Sequence, residues 1–161
     1  MNLIRTATLL GATLTMGLVT GAFALYAHTV MPGLKTTDDR TFVAAFGAMD
    51  RAIINPWFML TGFVGALVLT LAAVLTHIGR DPFPWVVAAL VLYGVAVVLT
   101  LAVNVPLNDA LKAAGDVDRI SDLAAVRERF HEGRWAAFNL LRTVTSVGAF
   151  ACLAWALRVS G

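Results

Sequence analysis

The sequence predicts an all-α integral membrane protein: a four-transmembrane-helix bundle forming one domain over residues 1–161, with amphipathic helices in the first and third loops. Three observations predict it. Hydrophobic residues make up 59% of the chain at a mean hydropathy of +0.80, more than a soluble domain of 161 residues can hide. The apolar residues fall into four long runs, each near the roughly 20 helical residues needed to cross about 30 Å of hydrocarbon. Nearly all charged residues lie between those runs.

The spans fall at about residues 4–27, 57–76, 84–104 and 135–157. The first could be taken for a cleaved signal peptide, with Arg5 as the basic region and Ala22-Phe23-Ala24 as a cleavage site. Its apolar stretch exceeds the usual signal core of roughly 7–15 residues, so it reads as a span. After Pro32-Gly33, Phe42, Phe46, Met49 and Ile53 make one helical stripe, started by Asp38 or Asp39 and ended at Asn55-Pro56. That pattern predicts a helix lying across the mouth of the bundle. His77 to Pro82 reads as a tight polar turn. The third loop runs from Pro106 to Glu132, broken at Gly115; its weaker stripe of Ile120, Leu123, Val126 and Phe130 is expected to lead straight into the fourth span.

Charge and cysteine content narrow the classes. Twelve basic residues against ten acidic ones, interleaved in the same loops, give no concentrated basic face for nucleic acid. Cys152 is the only cysteine, which excludes a dithiol redox enzyme. Lys35, Arg40, Arg51, Lys112, Arg119, Arg127, Arg129 and Arg134 flank one face, against Arg5, Arg80 and Arg158 on the other. Because Lys and Arg resist translocation, the long loops are expected in the cytoplasm and the protein in the plasma (inner) membrane. Gly17 with Gly21 and Gly62 with Ala66 have the spacing of close helix contacts, within the chain or in a homo-oligomer.

Polar side chains at membrane depth are costly, so they face the protein interior or a wet cavity. Arg142 lies roughly 12 Å into the fourth span at 1.5 Å per residue. His131, Trp135, Asn139 and Arg142 are spaced to share one helix face. With the spans laid antiparallel, His28, Asn55, Asn104 and Asn108 fall at the same end, where a common pocket is expected. Each has a plainer reading. Asn55 and Asn108 sit beside turn-forming residues and can cap backbone, His28 and His131 can be solvated at the interface, and Arg142 can snorkel.

Met31-Pro-Gly-Leu34, Asn55-Pro-Trp-Phe58, Asn104-Val-Pro-Leu-Asn-Asp109, and Arg134-Trp135 followed by Asn139, Arg142 and Ser146 resemble the anthrone oxygenase-like family of small four-span membrane proteins. Most bacterial members of that family have no assigned reaction. The resemblance implies oxidation of an anthrone to an anthraquinone by molecular oxygen with no cofactor. It also implies a lipophilic small molecule as partner beside the lipid bilayer. Such chemistry needs a base, donors for an enolate oxygen and a dry cavity. His131 or His28 is the expected base, and Asn104, Asn139 and Arg142 are the expected oxyanion donors. Trp135 supplies a flat wall, with Asn108 and Asn55 nearby.

Other classes compete. A bis-His haem would have only His28 and His131 at that end, and a metal oxygenase would need Glu132 or Asp109 beside them. A channel lacks a polar stripe along any span, and a transporter lacks a plainly interrupted one. The main alternative is a non-catalytic protein holding a lipid or other amphiphile in a polar vestibule.

Overall fold

The computed structural model describes residues 2–160, whose regular structure is all helical, with no strand among them. Four helices are long and apolar enough to cross a membrane. They are α1 (Leu3–Lys35), α3 (Pro56–Thr76), α4 (Phe83–Lys112) and the helix that ends the chain. Between α1 and α3 lies α2 (Asp39–Ile53); after α4 come α5 (Leu123–Phe130) and α6 (Glu132–Val159). Around the bundle α1 packs on α3 and α6, and α4 packs on α6 and α3.

The bundle core is rich in alanine. Ala12, Ala66, Ala73, Ala89, Ala96 and Ala149 are fully buried between larger residues such as Leu9, Met16 and Tyr93, so the backbones approach closely. Gly17 serves the same purpose, its open side lying against the Phe150 ring of α6. Leu14, Leu18, Leu71, Val91, Val98 and Val144 point outward and are largely exposed, as side chains solvated by lipid rather than water must be. Trp57 is exposed at one end of the bundle, and Trp85 and Trp155 meet edge-on at the other, the levels at which indole rings favour a membrane interface.

Three of the four spans widen into a single π turn: Tyr26–Val30 in α1, Met59–Phe63 in α3 and Thr100–Asn104 in α4. All three belong to the same end of the bundle. They also account for two departures from the sequence reading, which ended the first span near residue 27 and the third near 104. Each helix instead continues through a proline, Pro32 or Pro106, for two further turns or more. A helical proline lacks an N–H and crowds the carbonyl four residues back. Here those carbonyls belong to His28 and Ala102, both inside a π turn, where the altered spacing accommodates the ring.

The mouth is closed by a second core of Met31, Phe42, Phe46, Leu107, Phe130 and Trp135, through which α2 packs on α5 and the end of α4. Asp38 caps α2 by accepting from the Thr41 N–H at 2.8 Å, and its bonds to Thr41 hold its carboxyl below the usual range. The buried stripe of α2 runs through Phe42, Val43, Phe46, Gly47 and Asp50, turned slightly from the expected one: Met49 and Ile53 are only half-buried. The α5 segment does not run straight into α6. His131 separates them in the left-handed conformation at φ 51°, which redirects the chain. His77, expected in a polar turn, is buried, its Nδ1 bonded to the Ala73 carbonyl at 2.8 Å.

Candidate functional site

Polar groups of three spans converge around Arg142. Arg142 on α6 is 7% exposed and has its guanidinium fixed on two sides. Its Nε and Nη2 donate to Asn139 Oδ1 at 3.0 and 2.8 Å, and Nη1 donates to Thr100 Oγ1 at 3.2 Å. Thr100, in the π turn of α4, gives its own proton to the Ala96 carbonyl and so presents a lone pair to the arginine. Asn139 Nδ2 reaches across to the Phe23 carbonyl of α1 at 3.2 Å. Three spans are thus tied together around one charge.

No carboxylate lies within ion-pair distance of Arg142 among the described residues. The guanidinium instead rests over the Phe23 ring at 4.2 Å and near the Trp135 ring at 5.4 Å. Ring faces return only part of what a cation loses on leaving water. Arg142 therefore keeps an unmatched positive charge, and it faces a cavity of about 230 Å³.

That cavity is lined mainly by apolar side chains, among them Phe23, Phe46, Phe58, Phe63, Leu101 and Trp135. Its polar lining is Arg142, Thr100, Tyr26, Asp50 and Asn108, supplied by α1, α2, α4 and α6. The volume lies just below the roughly 300–1,000 Å³ of drug-sized ligand sites and suits one compact ligand. Two lining residues, Ile54 and Leu101, are 62% and 58% exposed. The mouth therefore opens between the start of α3 and the lipid-facing side of α4.

A second polar chain runs from the cavity toward the loops. Trp135 Nε1 donates to Asn108 Oδ1 at 2.7 Å, and Asn108 Nδ2 donates to Asp50 Oδ1 at 2.6 Å. Asp50 Oδ2 lies 2.7 Å from Lys112 Nζ, and the same ammonium is 3.1 Å from Asp109 Oδ1.

Of the residues marked by sequence, Arg142, Trp135 and Asn108 line the cavity, and Asn139 stands behind Arg142. Asn104 is fully buried but bonds the Trp135 carbonyl at 3.2 Å, joining α4 to α6 rather than facing the cavity. Asn55 caps α3, accepting from the Phe58 N–H at 2.9 Å. His28 and His131 are exposed and are not brought to the cavity. His28 Nδ1 is 2.6 Å from Thr29 Oγ1, and His131 occupies the α5–α6 corner. Glu132 and Asp109 pair with Arg127 and Lys112. Sequence reasoning missed Asp50, Tyr26, Thr100 and Phe23. Asp50 could have been found, because an acid one turn after Phe46 falls on the apolar stripe of α2.

The fold and site define a helical membrane protein with an internal, largely apolar pocket that presents a buried cation. Residues 49–152, well over half of the chain, match the sequence profile described as anthrone oxygenase. The chain belongs to that family. The matched segment holds Asp50, Thr100, Asn108, Trp135, Asn139 and Arg142 and leaves out His28. No curated protein and no solved structure matches the chain.

Proposed function

We propose that this protein is a cofactor-independent oxygenase that oxidises a lipophilic, ionisable aromatic compound of the anthrone class at the membrane. The carrying observation is the unmatched charge of Arg142 at an apolar cavity. An anthrone methylene is acidic because its anion places charge on the carbonyl oxygen across the central ring as an enolate. A buried guanidinium aimed where that oxygen develops charge favours ionisation, and a dry apolar wall strengthens the effect. The enolate reacts with molecular oxygen: the methylene loses two hydrogens and gains one oxygen, becoming a carbonyl, and the second oxygen atom leaves as water. Electrons and atoms balance without another reductant.

In this reading Arg142 is the oxyanion donor, Asn139 and Thr100 hold its fork in place, and Trp135 and Phe23 stack against the rings. Asn104 and Asn55 act on helix position, and the opening beside Leu101 admits substrate from the bilayer. The protein resides in the plasma membrane with its two long loops in the cytoplasm, as the basic residues favour. The test is oxygen uptake together with quinone absorbance, using anthrone and purified protein in lipid nanodiscs. Arg142→Leu is expected to lower turnover by about 10²-fold or more while eluting as the wild type does. Unchanged turnover would take Arg142 out of the reaction. A tightly bound lipid that anthrone does not displace would favour an amphiphile-binding protein instead.

A further inference from the structure

We infer that Asp50 is the base that removes the substrate proton, and that Lys112 is the cation that restores it to its anion between turnovers. The inference rests on the oxygenase reading above. It follows from what the cavity contains: Asp50 is the one carboxylate among the lining residues, and neither exposed histidine lines it.

The position of Asp50 is not that of a surface acid. It lies 7% exposed on the buried stripe of α2, one turn from Phe46, where a neutral residue would pack at lower cost. Its ionised form is held by a chain of fixed polarity. The Trp135 indole can only donate, so Asn108 Oδ1 must accept, and the amide is thereby turned to donate Nδ2 to Asp50 Oδ1. The other oxygen is differently placed. Oδ2 lies 2.7 Å from the Lys112 ammonium, and no other donor reaches it. One carboxylate oxygen is anchored by the amide and the other is covered against the Lys112 ammonium, while the residue itself lines the cavity.

Proton transfer then has a defined route. A ligand C–H bond breaks, its proton forms an O–H bond on the Asp50 carboxylate, and the electron pair moves onto the ligand oxygen beside Arg142. Lys112 stays an ammonium between Asp50 and Asp109, 3.1 Å from Asp109 Oδ1, and its charge favours the return of Asp50 to its anion as the proton passes to water. The Asp109 side chain is 62% exposed, so this end of the polar chain reaches water. The balance is one proton moved from ligand to bulk, with no change in oxidation state. Oxygen is not needed for this half of the reaction, so it can be observed alone.

The experiment is deuterium incorporation at the anthrone methylene, followed by mass spectrometry under argon in deuterated buffer, with full-length protein in nanodiscs. Wild type should exchange the methylene faster than empty nanodiscs. Asp50→Asn should slow that exchange by about 10²-fold or more, with Asp50→Glu recovering part of the rate, while tryptophan fluorescence shows anthrone still bound. Lys112→Met, which leaves the carboxylate in place, should also slow exchange. Wild-type exchange rates in a folded Asp50→Asn overturn the base assignment; wild-type rates in Lys112→Met overturn the role of Lys112 and, should Asp50→Asn not fold, the inference with it. Oxygen uptake without exchange in the wild type leaves the oxygenase reading standing and removes Asp50. Neither exchange nor uptake removes both.

Discussion

Asn55 and Arg142 are both polar residues at one end of the bundle, yet they work in different ways. The Asn55 side chain is engaged wholly with nearby backbone, accepting from the Phe58 N–H and donating to the Ala52 carbonyl. Replacing it with alanine should cost about 1 kcal/mol of stability through loss of a helix cap, with turnover per folded molecule unchanged. Unfolding in graded denaturing detergent beside an oxygen-uptake assay checks both. Arg142, Asn139 and Asn104 were legible from sequence because a costly group inside an apolar run has nowhere to go but inward. His28 and His131 were not, because at a membrane interface an imidazole is equally well solvated by water or by protein. Asp50 was obscured for another reason. An amphipathic stripe is read from its apolar members, and an acid among them looks like the polar face until the helix is seen turned toward Phe42, Phe46 and Asp50.

The helices were legible as spans from length and hydropathy, but their local winding was not. Apolar periodicity carries no mark of one residue added to a turn. The π turns of α1, α3 and α4 bring Tyr26, Met59 and Thr100 to the cavity wall, and α3 depends on a glycine just after its own. A Cβ at Gly65 would collide with the Leu60 carbonyl. Gly65→Ala is therefore expected to destabilise the protein by about 1–3 kcal/mol and to weaken anthrone binding, because relief of the clash must shift α3 next to Phe58, Met59 and Phe63. Detergent melting and fluorescence titration measure the two effects; a variant unchanged in both would show that the π turn tolerates a side chain. At the other helix boundaries, Pro32 and Pro106 misled because proline normally breaks a helix, and a preceding π turn removes the clash.

For the whole molecule, the exposed aliphatic belt and the indoles at its two ends set how the protein sits in the bilayer, and the basic residues set which way it faces. With Cys152 replaced by serine, Thr36→Cys in the first loop and Ile78→Cys in the second give a direct readout, since both positions are exposed. An impermeant maleimide should label Ile78→Cys in intact cells and Thr36→Cys only after permeabilisation, and the opposite pattern would reverse the orientation. The three widened turns also bear on how relatives are compared. At roughly 100° per residue, removing one residue from such a turn would swing half a helix away from the cavity while leaving the membrane-crossing length almost intact. An alignment of this family built on hydropathy alone would then pair cavity-facing positions with lipid-facing ones. Single-residue gaps at these three levels, more than residue identity elsewhere, are where inherited differences in ligand choice should be sought.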